Sequence, residues 1–125
     1  MLVSLKTGSQ QNKGTKLRRK ELNEEVSGFI SEDVQDKLSM LAGVTEDSYQ
    51  LSERGIRFTF ENSLQANRCQ LIRYHDKLII ELRKETNNLI EGKMNVLVFE
   101  DVIKPDEFQK VFEGKTGIYL SFMGI

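Results

Sequence analysis

The chain has 125 residues, 38% of them hydrophobic and 30% charged, and its 18 basic and 19 acidic residues leave a net charge of −1. This length suits one domain with a single core, and the near-neutral charge gives no overall field that would attract a nucleic acid or an anionic membrane. With only one cysteine and one histidine, an internal disulfide and a cysteine-based zinc cluster are excluded.

Residues 1–15 are rich in Gln, Asn, Ser, Gly and Lys and lack apolar periodicity, which is typical of a flexible N-terminal arm. Residues 16–125 are predicted to form a single α+β domain. The apolar start is shorter than a secretory leader, and no apolar run is long enough to cross a membrane. We therefore expect an intracellular protein, cytoplasmic or nuclear, that has no membrane partner.

A basic cluster spans the end of the arm and the start of a helix-prone segment. Its members are candidate phosphate contacts: Lys13, Lys16, Arg18, Arg19 and Lys20. Acidic residues follow at once and can pair with the cluster along a helix. No aromatic residue interleaves with it, so stacking on bases is not indicated. A nucleic-acid-associated factor that uses this arm is the alternative function.

The next segment predicts a capped helix between Ser31 as N-cap and Gly43 as C-terminal stop. Its apolar residues recur on one side of the helix: Ile30, Val34, Leu38 and Leu41. This stripe can cover the protein's own sheet or bind another chain, so its four residues are candidate partner-binding positions.

Strand patterns dominate the middle of the chain. Ile56, Phe58 and Phe60 alternate with polar residues, which predicts a half-buried strand. Residues 69–74 and 77–83 predict a hairpin that turns at His75 and Asp76, although a helix is the alternative reading. The apolar run 95–100 predicts a central strand that is covered on both faces.

The C-terminal part predicts a helix followed by a strand. Pro105 suits the first turn of a helix, and Gly114 is predicted to be its C′ cap. In the final segment 117–122, Ile118, Leu120 and Phe122 alternate as in a strand. An edge strand can pair with another chain, so Ile118, Tyr119 and Phe122 are further candidate partner-binding residues.

No motif predicts catalysis. The sequence Gly114-Lys115-Thr116 resembles part of a phosphate loop, but Gln109 stands where that loop needs a glycine, and a helix precedes the motif instead of following it. His75 is predicted to lie in a polar turn, and Cys69 to be a small buried hydrophobe. We expect no catalytic residue, cofactor or metal, and therefore no enzyme.

The predicted fold is a two-layer α+β sandwich. It has a mainly antiparallel sheet of four to five strands, N-terminal helices and one helix before the last strand. Its order of helix, meander and helix is similar to RWD-like heads of chromosome-segregation adaptors, which implies an adaptor. The leading expectation is a non-enzymatic protein–protein interaction or adaptor domain that binds another protein or a second copy of itself.

Overall fold

The computed structural model describes residues 21–121. A helical segment at 21–27 and helix α1 (Glu32–Ala42) come first, five strands follow, and helix α2 (Phe108–Thr116) comes after them. The strands are β1 (Tyr49–Leu51), β2 (Gly55–Thr59), β3 (Arg68–Tyr74), β4 (Lys77–Asn88) and β5 (Gly92–Ile103). They lie side by side in chain order, and each pairs antiparallel with the next. The predicted α+β class with an antiparallel sheet is confirmed.

Helix α1 begins and ends at the predicted residues. The Ser31 hydroxyl oxygen accepts a hydrogen bond from the Val34 amide at 3.3 Å, which satisfies one of the free amides of the first turn. Gly43 has a φ of 66°, a left-handed conformation that glycine adopts without a steric penalty. The Leu38 side chain is fully buried and joins the helix to the core.

One face of the sheet is apolar and carries the helices. Ladder positions across β2, β3 and β4 place Ile56 opposite Leu71 and Leu71 opposite Ile80, and all three side chains are fully buried. Residues at the alternate positions, such as Arg57, lie on the open face. Because successive side chains of a strand point to opposite faces, this pattern produces two layers, a sheet and its helices.

An aromatic cluster joins α2 to the sheet. The Phe112 ring centroid lies 5.0 Å from that of Phe60 and 6.4 Å from that of Phe58. Phe108 extends the cluster, with its centroid 5.6 Å from that of Phe112. All four rings are buried. Phe58, Phe60, Ile80 and Phe112 share one core, whereas Val98, in the segment predicted to be covered on both faces, is 41% exposed.

Strand β5 lies at the edge of the described sheet, so its predicted central position is wrong. Each hairpin adds its second strand beside the first, and the chain leaves β5 for α2 without adding another strand. The ladder is irregular here, because Leu82 faces Phe99 while Arg83 faces Leu97. Val98 is therefore the extra residue of a β-bulge.

The segment after α2 is not a strand within the described residues, which corrects the predicted helix before a last strand. Gly117, with a φ of 78°, ends α2, so Gly114 lies inside the helix and is not its C′ cap. The Thr116 hydroxyl accepts from the Ile118 amide at 3.2 Å, and the Glu113 carboxylate accepts from the Ser121 amide at 2.6 Å. These bonds replace ladder pairing. Burial still alternates, because Ile118 and Leu120 pack into the core.

Candidate functional site

The outer edge of β5 carries an unusual share of the exposed apolar surface. Among the exposed large hydrophobic side chains of residues 21–121, five lie on β5: Met94, Val96, Leu97, Val98 and Val102. Val96 is the most exposed of the five, at 52%. An apolar run of this kind on an edge strand marks an interaction surface or an aggregation hazard.

The backbone of this edge is also available for pairing. Strand β5 is 12 residues long and pairs only with β4 within the described part of the chain. The opposite edge, β1, has only three residues. A short edge strand offers few amides and carbonyls to a partner, whereas a long one offers a full ladder.

The bulge explains why β5 exposes apolar side chains on both faces. Phe99 lies on the helix-covered face, opposite Leu82, while Leu97 lies on the open face, opposite Arg83. Without the extra residue Val98, these two positions would share a face. Phe99 is half-buried, and the ammonium nitrogen of Lys115 lies 4.5 Å from its ring centroid.

The hairpin of β4 and β5 projects beyond the rest of the sheet. Strand β3 pairs with β4 only as far as Arg83. Beyond this point the Asn67 side chain forms two hydrogen bonds with the backbone of Glu85. Further out the hairpin has two strands, and its turn exposes Leu89 and Ile90 almost completely, at 105% and 95%. An isolated two-stranded ribbon has little stability of its own.

A groove of about 600 Å³ lies between β5 and α2. Phe99 and Ile103 of β5 and Val111 of α2 provide its apolar lining. Asp101, Glu107, Lys110 and Lys115 surround them with charges of both signs. The groove is thus continuous with the exposed edge and suits an apolar side chain that arrives alongside β5.

The open face of the sheet holds a smaller polar cavity of about 160 Å³, whose lining includes Arg57, Arg68 and Arg83. Each of these arginines already has a partner. Arg68 pairs with Glu85 at 3.1 Å, Arg83 pairs with Glu81 at 3.0 Å, and the Arg57 guanidinium donates to the Gln50 side chain at 2.7 Å. Two of the three arginines are neutralised by carboxylates and the third is held by an amide oxygen, so the cavity is not arranged as an anion site.

On the helix-covered face of the sheet, burial changes the ionisation of two side chains, those of Tyr49 and Cys69. Burial raises the pKa of Tyr49 to about 12, with a smaller contribution from Cys69. Burial also raises the pKa of the Cys69 thiol, with a smaller contribution from Glu81. A thiol held neutral in the core is a poor nucleophile. No group of three or more His, Cys, Asp and Glu side chains in residues 21–121 is placed to hold a metal ion.

The predicted helix stripe lies mostly inside the molecule. Ile30 and Leu38 are fully buried, and Val34 and Leu41 are half-buried and pack against the same core. Core packing accounts for this stripe. Its partner-binding role stays a prediction.

The remaining predicted site residues are scattered. Ile118 is buried and Tyr119 is exposed, whereas Phe122 lies outside the described residues. The basic cluster at 13–20 also lies outside them. Lys115 and Thr116 occupy the last turn of α2, where the Thr116 hydroxyl donates to the Phe112 carbonyl oxygen at 2.6 Å. Among residues 21–121, the predicted partner-binding residues form no common exposed surface, because most of them pack into the core.

Sequence reasoning missed the β5 edge, although two signals pointed to it. Leu89 and Ile90 are apolar residues inside a turn otherwise marked by asparagines and glycine, a position where apolar side chains cannot be covered by the same hairpin. The second signal is the run 94–99, which is apolar apart from Asn95 and is flanked by the charged residues Lys93 and Glu100.

Comparisons with known proteins give no functional information. No family model, curated protein or solved structure matches the chain. The likeness in element order to RWD-like heads stays a prediction. Within residues 21–121, none of the helices is long and apolar enough to span a bilayer.

Proposed function

We propose that the protein is a non-enzymatic protein-interaction domain whose β5 edge accepts a strand from another polypeptide. The supporting observation is the outer edge of β5 itself, which is 12 residues long, unpaired in the described part of the chain and apolar on both faces. Strand addition at such an edge is a common mode of peptide recognition.

The two parts of this edge contribute differently to binding. The free amides and carbonyls of β5 give a ladder that any extended chain can join, so they supply affinity without much sequence preference. Side chains supply the preference. Met94 and Val96 lie on the helix-covered side, opposite Thr86 and Lys84, while Leu97 and Val102 lie on the open face, opposite Arg83 and Ile79. An added strand with apolar residues on both faces would bury all four.

Site-specific photo-cross-linking tests the proposal. A benzophenone amino acid replaces Val96 on the edge or, as a matched control, Thr59, an exposed residue on a strand in the sheet interior. Irradiation in the cells that make the protein, followed by mass spectrometry, identifies the adducts. We expect polypeptide adducts from position 96 that position 59 does not give.

A second variant ties the adducts to the edge. Replacing Val98 by Lys in the cross-linking chain introduces the charged residue that natural edge strands use against pairing, and it should reduce the adducts strongly. Val98 is half exposed, so the fold should tolerate the change. Absence of polypeptide adducts from position 96, with salt-sensitive retention of nucleic acid instead, would contradict the proposal and favour the alternative function.

A further inference from the structure

We infer that the strand bound by β5 is β5 of a second copy of this chain, in an antiparallel, two-fold symmetric pair. The inference rests on the proposed function and names its partner. The charge order along the strand supports it, because Lys93 stands near one end, Glu100 and Asp101 stand near the other, and the side chains between them are uncharged. Antiparallel pairing of two copies sets the cation of each against the carboxylates of the other. Parallel pairing in register would align like charges.

One register of the two β5 strands pairs opposite charges and also places the paired side chains on the same face of the sheet. If Lys93 lies opposite Glu100 of the second copy, both side chains are on the open face, since their β4 neighbours are Asn87 and Glu81, an even number of residues apart. The same register sets Met94 opposite Phe99 on the helix-covered face, where their β4 neighbours are Thr86 and Leu82. Cation meets carboxylate on one side of the pair, and thioether meets ring on the other.

The bulge makes this double match possible. Met94 and Phe99 are five positions apart in sequence, a spacing that normally places two residues on opposite faces. The extra residue Val98 restores them to one face. With Val98 left out of the ladder, Val96 stands three positions from Lys93 and three from Glu100, so the two-fold axis passes between Val96 and Val96 of the second copy. The most exposed apolar side chain of β5 therefore lies at the centre of the pair.

Lys93 can reach the second copy. Its side chain is 69% exposed, and its ammonium nitrogen lies 3.5 Å from the Glu85 carboxylate, which Arg68 also contacts at 3.1 Å. Arg68 therefore keeps Glu85 compensated when Lys93 turns outward. At the other end of β5, the Asp101 carboxylate accepts from the Val102 amide at 2.8 Å, which caps that amide and limits the ladder to the stretch between Lys93 and Glu100.

The same register gives the exposed hairpin turn a place to dock. It brings Leu89 and Ile90 of one copy alongside Lys104 and Ile103 of the other. Ile103 lines the groove between β5 and α2. Two features with no role in the single chain, a fully exposed apolar turn and a mixed groove beside the edge, thus lie next to each other, once at each end of the pair.

Sedimentation of the full chain with charge reversals tests the inference. At low salt, wild type should convert from monomer to dimer as its concentration rises from about 1 µM to about 1 mM. This range covers dissociation constants of modest affinity. Lys93→Glu alone or Glu100→Lys alone places like charges opposite each other twice in the pair, and each should weaken the dimer about tenfold or more. The double variant Lys93→Glu/Glu100→Lys should restore it.

Two control variants test the register and the location. Lys93→Glu/Asp101→Lys should not restore the dimer, because Asp101 faces the helix-covered side, opposite Ile80. Lys77→Glu, at the turn between β3 and β4 and away from the edge, should leave it unchanged. Circular dichroism confirms that each variant is folded.

Three outcomes of the sedimentation and hydrogen-exchange measurements would overturn the inference, and cross-linking adds a further test. The first is a wild type that stays monomeric at the highest concentration, and the second is a dimer that ignores both charge reversals. The third is a monomer whose β5 amides are all protected from hydrogen exchange, which would assign the edge to another segment of the same chain. Cross-links from position 96 to a different protein would keep the proposed function while excluding the second copy. Absence of every polypeptide cross-link from position 96, to a second copy or to another protein, would remove both.

Discussion

At the scale of single residues, Tyr49 shows how burial controls ionisation. Its ring centroid lies 5.4 Å from that of Phe58. Its hydroxyl is buried without a hydrogen-bond partner among the described residues. Water would stabilise the phenolate, and the core does not. The pKa of Tyr49 is therefore raised to about 12 from an ordinary 10.0.

This shift has a definite sign in the pH dependence of stability. A pKa that is higher in the folded state gives a contribution that is complete below pH 10 and is lost as the pH rises towards about 12. We expect Tyr49→Phe to lose less stability than wild type over this window. At neutral pH, its free energy of unfolding should equal that of wild type or exceed it by up to about 1 kcal/mol, because no hydrogen bond is lost.

Urea unfolding of wild type and Tyr49→Phe at a series of pH values measures the effect. Tyr74→Phe is the matched control, since Tyr74 lies at the end of β3 with its side chain about half exposed. If the alkaline loss of stability were the same in wild type and Tyr49→Phe, ionisation of Tyr49 would not be its cause.

At the scale of elements, two glycines differ in whether their surroundings leave room for a side chain. Gly114 lies inside α2, and a Cβ added there would meet no atom within 4 Å apart from its chain neighbours and its own helix backbone. Gly55 begins β2, and a Cβ there would collide with the Leu71 carbonyl oxygen and lie 2.9 Å from the Ile72 Cα of β3. Helix propensity therefore decides the effect of a substitution at Gly114 on stability, and collision with the β3 backbone decides it at Gly55.

Alanine substitutions should therefore change stability in opposite directions. Gly114→Ala should raise the free energy of unfolding by about 0.5–1 kcal/mol, the usual difference in helix propensity. Gly55→Ala should lower it by about 1–3 kcal/mol, the usual cost of overpacking. Chemical denaturation of both variants checks the pair. A destabilised Gly114→Ala would mean that α2 ends before Gly114, as a C′ cap at that position would require.

Local signals determined which elements could be predicted. Ser31 and Gly43 bound α1 because capping chemistry depends on neighbouring residues alone. His75 marks the hairpin turn and adopts a φ of 58° there. Strand order depends on the whole chain, so the apolar run in β5 could not distinguish a central strand from an exposed edge. Apolar side chains alternate at 118–120 because they are alternately buried. An irregular segment packed against the core produces the same pattern as a strand.

At the scale of the whole molecule, the meander leaves two unequal edges. One ends in the short β1, and the other is the full length of β5 with an apolar turn projecting beyond it. The partner-binding residues predicted from sequence were chosen for apolar periodicity, which is a signature of the core. The β5 edge is recognisable only when exposure, register and the bulge at Val98 are known together. The binding role that we propose for this edge rests on what the rest of the described fold leaves uncovered.

Hydrogen exchange of the full chain at two concentrations tests most directly whether the β5 edge is the binding surface. At high concentration, we expect slower exchange in peptides that cover β5 and its hairpin turn, because a second strand then bonds the outward amides. On dilution this protection should disappear while β2 and β3, in the sheet interior, stay protected. Protection that changes with concentration only outside β5, or β5 amides that exchange fast at every concentration, would contradict a binding role for this edge.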